Sequence, residues 1–299
     1  MIFFTRKTNL FFLFVCATSL LLVSCTDSVA PIYREPLPGL VHAGNLADLE
    51  AIFKRYNYSI PNLHQGVPPL IVQSLPDDFA ELTTPETKKT SFFKILLPMV
   101  LLANERIRQE RQVLLQIVAQ LEKNQAIDDR QQHLLRTLKQ RYKVKGDLLS
   151  GETLDILKRR VDEIPAALVL AQAANESAWG TSRFVREGNN LFGEWTFVPG
   201  TGIVPLDRPE GETYEVRRFN NLYDSILAYL RNLNTHPAYQ TLRQLREKAH
   251  QQGRKPRGVE LAEGLTNYST RGEVYVSDLK KIIRTNHLQR FTSVSLRQG

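Results

Sequence analysis

From residue 91 to 162 the apolar positions recur at helical spacing. Leu114, Ile117, Val118 and Leu121 follow the i, i+3, i+4, i+7 rule. Leu134, Leu135, Leu138 and Tyr142 line one face of a second helix, and Asp128 with Gln131 marks its start. Leu154, Leu157 and Val161 predict a third, shorter helix, and Lys and Arg crowd the remaining faces. The apolar stripe is too short to make a coiled coil the default, so a helical hairpin packed on the following part is expected over 89–147. Between Ile164 and Ala174 the pattern changes and nearly every position is apolar, with Pro165 suited to a first helical turn. A helix that is apolar all round has to be buried. It leads into Asn175-Glu176-Ser177-Ala178-Trp179-Gly180, where the glycine predicts a tight turn.

Residues 193–219 read differently. Trp195-Thr196-Phe197-Val198, Ile203-Val204 and Thr213 to Phe219 predict short strands. Pro199-Gly200-Thr201-Gly202 forms a turn, and a polar loop carries Asp207, Pro209 and Gly211. Helical spacing then returns. Asp224 or Ser225 is the expected cap of a helix with Ile226, Leu227, Leu230 and Leu233 inward. Thr270-Arg271-Gly272-Glu273 has the form of a capping box, opening a helix that gathers Tyr275, Leu279, Ile282 and Ile283. Ahead of all this, prolines 31, 36, 38, 61, 68, 69, 76 and 85 punctuate a loop-rich segment. Only Leu46 to Arg55, capped by Asn45, reads as a helix there. Residues 25–88 are therefore expected to form a Pro-rich tether that ends by packing on the next part. Helices, a small β insert and helices again give an α+β chain, mainly α.

The chain opens with a basic pair, Arg6 and Lys7, and an apolar run from Leu10 to Val23, shorter than a comfortable membrane span. The run ends at Leu22-Val23-Ser24-Cys25, which resembles a bacterial lipobox. A signal peptide over 1–24 and lipidation of Cys25 are expected. Thr26, not Asp, follows the cysteine. By resemblance to sorting in enterobacterial lipoproteins, that gives the periplasmic face of the outer membrane as the expected address in a Gram-negative host. Of the 2 cysteines, Cys16 leaves with the leader, so the mature chain has no disulfide, thiol nucleophile or thiolate metal site. Formal net charge is +8 at pH 7, and loss of Arg6 and Lys7 takes it to +6. Export makes nucleic acid an unsuitable partner and favours anionic wall or membrane groups.

The 6 histidines form no HxxxH pair and no cluster with metal-ligand spacing. No glycine-rich phosphate loop follows a strand. Gly180-Thr181-Ser182 runs on into Arg183-Phe184 and makes no nucleophile elbow. Metal hydrolysis, nucleotide chemistry and acyl transfer are thereby disfavoured, and no metal or cofactor is expected. What remains is Glu176, delivered by a buried helix beside Trp179. A carboxyl in an apolar wall has its charged form disfavoured, and the resulting higher pKa is what a general acid needs. A carboxyl against a tryptophan is also the arrangement in a well-known glycosidase. Asn189-Asn190-Leu191-Phe192-Gly193 supplies amides suited to acetamido and hydroxyl groups, and aromatics suited to sugar faces. Glycosidases usually use two carboxylates. Glu194, Asp207, Glu210, Glu212 and Glu215 are candidates for the second, and spacing does not choose among them.

Ala174-Asn175-Glu176-Ser177-Ala178-Trp179-Gly180-Thr181-Ser182 and Gly188-Asn189-Asn190-Leu191-Phe192-Gly193 together resemble the glucosaminidase domain of peptidoglycan hydrolases, the mannosyl-glycoprotein endo-beta-N-acetylglucosaminidase type. Phe219-x-x-x-Tyr223-x-Ser225 and Asn267-Tyr268-Ser269-Thr270-Arg271-Gly272-Glu273-Val274-Tyr275 extend the resemblance, which covers about residues 150–290. It implies a lysozyme-like fold over 148–292, with a cleft between a helical body and a small β lobe. It implies Glu176 as general acid and Tyr268 beside the reacting sugar. Asn190, Phe192 and Tyr275 become candidate substrate-binding residues, although the spacing of Tyr275 with Leu279 equally suits a core position. The β lobe looks short for the family, and the usual second acid cannot be aligned. The implied activity is cleavage of the β-1,4 bond after N-acetylglucosamine in peptidoglycan. The alternatives are a lytic transglycosylase, which leaves anhydro-muramic ends, and a silent wall-binding lipoprotein. The expected partners are glycan strands and, through the lipid on Cys25, the membrane. Protein partners are not indicated.

Overall fold

A computed structural model of the protein describes residues 39–297. The expected leader over 1–24, Cys25 and the start of the tether lie outside the described residues. From residue 40 onward the Pro-punctuated segment is packed rather than tethering. β1 (Leu40–Val41) pairs in parallel with β2 (Ile71–Val72). Between them runs α1 (Leu46–Arg55), capped as expected by Asn45, whose side chain accepts from the Asp48 amide at 2.9 Å. Leu49, Phe53, Tyr58, Val67 and Phe79 are buried in the main core. The prolines here bend a chain that still carries enough large apolar side chains to be drawn inward. Pro61, for example, sits in the first turn of a 3-10 helix over Ile60–Gln65.

α2 (Pro85–Glu122) is a 38-residue helix, about 57 Å long. Its first half lies in the main core. Its second half forms a smaller core with α3 (Asp129–Arg141) and α4 (Gly151–Arg160), through Leu114, Ile117, Leu135, Leu138 and Leu157. The hairpin expected over 89–147 is therefore shared between two cores, because one helix is long enough to serve both. The Asp128–Gln131 capping box at the start of α3 is fully formed.

α2 also carries Pro98 in its interior. Proline has no N–H, so the Lys94 carbonyl, four residues earlier, loses its helical donor. The buried Tyr58 hydroxyl supplies the missing bond, donating to that oxygen at 2.9 Å. Lys94 itself pairs with Glu50 of α1 at 2.6 Å and lies over the Phe53 ring. The N-terminal segment thus repairs a defect written into the central helix.

The body continues with α5 (Ala166–Glu176), α6 (Arg183–Gly188), α7 (Leu222–Thr235), α8 (Gln240–Gln251), α9 (Gly258–Leu261) and α10 (Glu273–Thr285). Between α6 and α7 stand β3 (Trp195–Thr196), β4 (Gly202–Ile203) and β5 (Glu215–Arg217), in the antiparallel order β3-β5-β4. The strands are shorter than expected, since Phe197, Val198 and residues 213–214 fall outside the ladder. Two caps also differ. Asn221, not Asp224 or Ser225, caps α7, accepting from the Asp224 amide at 2.8 Å. The Thr270–Glu273 box does not form, because Gly272 sits at φ 52 and α10 starts only at Glu273. A buried carboxylate, Asp162, ties α2 and α8 to the α4–α5 link. Arg246 Nε lies 3.2 Å away, His250 Nε2 2.8 Å and Arg111 Nε 3.6 Å. Burial opposes the charge on Asp162, but Arg246, the His250 hydrogen bond and Arg111 outweigh it and leave the carboxyl below its usual range. The whole is the expected α+β, mainly α, lysozyme-like arrangement of a helical body with a small β lobe. Among the described residues no helix is long and apolar enough to cross a membrane.

Removing the Tyr58 hydroxyl would leave the half-buried Lys94 carbonyl without a donor. Tyr58→Phe is expected to destabilise the protein by about 1–3 kcal/mol, read as a lowered urea midpoint at unchanged slope. In a Pro98→Ala background residue 98 regains its N–H, and the same change should then cost clearly less. Equal losses in both backgrounds would refute the repair.

Candidate active site

Residues 166–174 of α5 are all buried, which fixes the helix on every side before it reaches Glu176. Pro165 stands at the cap position, one residue ahead of the first turn. The helix then stops abruptly. Ser177 is its buried cap, donating its hydroxyl to the Ala173 carbonyl and accepting from the Gly180 amide at 2.8 Å. Ala178, Trp179 and Gly180 follow with φ of 49°, 59° and 81°. Three consecutive left-handed residues, two of them not glycine, are a strained turn of the kind that functional sites retain. A Cβ on Gly180 would lie 2.6 Å from Leu75 Cδ1, so the turn is also pressed against the N-terminal segment. The Trp179 ring beside Glu176 in the chain is itself half-buried. It packs edge-on against Phe92 and Phe93 of α2, at 6.2 and 5.5 Å between ring centroids, with Lys89 above it.

The group that touches the half-buried Glu176 carboxylate is Tyr275 of α10. Its hydroxyl donates to Oε1 at 2.7 Å. The Tyr275 oxygen in turn accepts from Gln172 Nε2 at 2.8 Å, and Gln172 Oε1 accepts from the Tyr229 hydroxyl. Burial first, and then the charge of Glu176, push Tyr275 and Tyr268 above the ordinary tyrosine range; Tyr229 is raised mainly by burial. All three therefore stay protonated and remain donors. The chain Tyr229, Gln172, Tyr275, Glu176 thus has one direction, with every proton pointing toward the carboxylate. Asn175 Nδ2 adds a second donor to Oε1 at 3.2 Å. Oε2 takes no hydrogen bond from the described residues, so a proton on Glu176 belongs on Oε2.

Tyr268 stands next to this group. Its ring lies parallel to that of Tyr275, with centroids 5.4 Å apart, and its hydroxyl donates to the Phe192 carbonyl at 3.1 Å. Phe192 stacks on Tyr229 at 3.8 Å and is buried, so it is a wall of the site rather than an open sugar platform. Asn190 is a correction. It is 1% exposed, and its amide bridges the Glu194 and Arg217 carbonyls at 2.8 and 2.9 Å. Its oxygen accepts from the Glu194 and Phe192 amides. All four of its hydrogen-bonding capacities are spent holding the 190–194 loop to β5, and none is left for a sugar. The spacing missed Gln172 and Tyr229. Gln172 had a signal: it is the sole polar residue in the run from Ile164 to Ala174, and it lies one helical turn before Glu176.

The five acidic residues of the β lobe separate cleanly. Glu215 accepts from the Gly200 and Gly202 amides at 3.0 and 2.8 Å, and these bonds hold its carboxyl below the usual range. It is a clip for the turn between β3 and β4. Asp207, Glu210 and Glu212 are exposed on the outer loop. Glu194 remains. It pairs with Arg217 at 2.8 Å, and its charge, like that of Glu176, raises the Tyr268 hydroxyl. Tyr268 thus stands within electrostatic reach of both carboxylates.

A family model described as mannosyl-glycoprotein endo-beta-N-acetylglucosaminidase matches residues 153–288, from α4 to just past α10. Protein bax of Escherichia coli (strain K12) is 32% identical over 217 residues, which cover 71% of this chain and 74% of that relative. The solved catalytic domain of the autolysin Auto from Listeria monocytogenes is 18% identical. It aligns over 59% of this chain and 96% of its own, with a TM-score of 0.34. The chain belongs to the Bax-like glucosaminidase-domain proteins, and the coarse class that follows is a glycoside hydrolase-like enzyme.

The Glu215 clip makes the β lobe pH-sensitive in one direction. A carboxyl depressed in the fold stabilises it fully above the unfolded value of about 4.3, and that contribution is lost as pH falls through the lower folded value. The Gly200 and Gly202 amide resonances should therefore hold from pH 7 down to that range and move only below it. In Glu215→Gln this movement should vanish. A midpoint at or above the unfolded value would overturn the clip.

Proposed function

We propose that this protein hydrolyses the β-1,4 glycosidic bond after N-acetylglucosamine in peptidoglycan, with Glu176 as the general acid. The observation that carries it is the one-way hydrogen-bond chain into Oε1. Saturating Oε1 with donors leaves Oε2 as the oxygen that holds and gives up a proton, and a general acid needs one defined proton within reach of the leaving oxygen. Tyr275 acts through Glu176 as a positioning residue, and Tyr268 lines the place of the reacting sugar. Glu194 is the best-placed second carboxylate, since Arg217 holds it at 2.8 Å. Trp195 stacks on Tyr214 at 4.4 Å yet is 52% exposed, which suits the apolar face of a glycan strand on the β lobe.

The anchoring belongs to the same proposal. Cys25 carries lipid and holds the enzyme on the outer membrane, facing the periplasm and its wall. Cys25→Ala should then move the protein from the membrane to the soluble envelope fraction. Retention on membranes after a high-salt wash would count against it.

Glu176→Gln keeps the shape and removes the acid. Digestion of purified sacculi should slow by about 10²–10⁴-fold, with an unchanged circular dichroism spectrum and undiminished pull-down by insoluble peptidoglycan. Mass spectrometry of wild-type products should give reducing N-acetylglucosamine ends, whereas anhydro-muramic ends would make it a lytic transglycosylase. Glu194→Gln should lose activity where Asp207→Asn and Glu212→Gln do not. A folded Glu176→Gln variant that cleaves at near wild-type rate would defeat the assignment.

A further inference from the structure

A cavity between the α2–α3 hairpin and α7 lies outside the machinery around Glu176. It holds about 50 Å³ of space that water can enter and opens to solvent. Three guanidinium groups line it, from Arg106 of α2, Arg141 of α3 and Arg231 of α7, against one carboxylate, Glu110. Glu110 is 2% exposed and already committed. Its Oε1 pairs with Arg141 and lies 3.6 Å from Arg106 Nε, and its Oε2 accepts from the Tyr142 hydroxyl at 2.7 Å. The cavity wall therefore keeps two positive charges that Glu110 does not neutralise.

Arg141 shows where that excess is felt. Its side chain is only 9% exposed, yet its Nη2 is buried and has no hydrogen-bond partner. A buried charged donor left unpaired is costly. Burial destabilises the charged form, Glu110 restores part of it, and Arg106 and Arg231 repel it further. Arg231 is exposed and makes no ion pair among the described residues. The rest of the wall is apolar, from Ile107, Leu227 and Leu230. Guanidinium forks match the planar geometry of a carboxylate, and an apolar wall with a few converging polar groups is the make-up of a small-ligand site. A bare phosphate would satisfy the charge but not the leucines.

We propose that this cavity binds the terminal carboxylate of a short peptide with small apolar side chains, held by Arg141 Nη2 and Arg231 and packed against Ile107, Leu227 and Leu230. It is independent of the assignment of Glu176, since none of these residues takes part in that chain.

The test is isothermal titration of the full-length protein with acetyl-alanyl-alanine, with the same dipeptide as its C-terminal amide, and with inorganic phosphate. Saturable binding of the free acid, at least about tenfold weaker for the amide and for phosphate, supports the site. Arg231 is a surface residue, so Arg231→Gln should fold normally and weaken the free acid by about tenfold while leaving sacculus digestion unchanged. Side-chain NMR should place the shift at Arg141 and at the Leu227 and Leu230 methyls. No saturable binding, equal binding of the amide or of phosphate, or an unaffected Arg231→Gln variant would each overturn the proposal.

Discussion

The site depends on one obligation, that the Tyr275 hydroxyl must donate to Glu176. A phenol between an amide and a carboxylate could face either way. Here Gln172 already offers its N–H to the phenol oxygen, because its own carbonyl is occupied by Tyr229. The single phenol proton has one acceptor left, Glu176 Oε1. Burial keeps all three tyrosines around the carboxylate protonated, so the direction does not reverse with pH in any ordinary range. An electrostatic arrangement fixed before substrate arrives needs no reorganisation during reaction, which is where preorganised donors gain their advantage. Gln172 can serve this purpose only because it shares a face of α5 with Glu176, and α5 can hold it only because the helix is packed on every side.

That packing reaches back to a segment that looks dispensable. Pro98 would leave an unsatisfied carbonyl in the middle of the longest helix, next to the Phe92 and Phe93 rings that hold Trp179. The repair comes from Tyr58, some forty residues earlier in the chain. The strained turn after Glu176 is clamped from the same side, by Leu75 and Phe79 against Gly180. Strain at residues 178–180 persists only where the surroundings over-determine it. The N-terminal segment is part of those surroundings, and the Glu176 carboxylate owes its position to residues well outside the family match that begins at residue 153.

How much of this the chain disclosed follows from the range of the forces involved. Local rules were legible: the α1 boundaries with their Asn45 cap, the Asp128–Gln131 box, and the buried helix ending in Glu176 all depend on residues a few positions apart. Tyr275 was visible only as an ambiguity, since its place in the apolar stripe with Leu279 and its bond to Glu176 are both real. Gln172 showed only as a lone polar residue in an apolar run, and Tyr229 and the inward turn of Asn190 were not legible, because each is defined by partners 27 to 57 residues away. Prolines misled for a related reason. They mark where a chain bends, and whether the bends float or pack is decided by distant apolar contacts. The failed box at Thr270–Glu273 shows the limit of local rules too, since Gly272 offers a left-handed entry that the tertiary route uses instead.

The β lobe draws these threads together. It has few ladder bonds and borrows its rigidity from side chains. Asn190 binds the 190–194 loop to β5, and Glu215 pins the turn between β3 and β4. Both lie on the strand that carries Arg217 or bond directly to it. Arg217 is also the partner of Glu194. The polar groups that a motif-based view would assign to sugar therefore do structural work, and Asn190 in particular holds both the amide and the carbonyl of Glu194. Under the proposed reaction, Glu194 rather than the exposed Asp207, Glu210 or Glu212 is the carboxylate to pair with Glu176, since a second carboxylate must keep a fixed separation from the first.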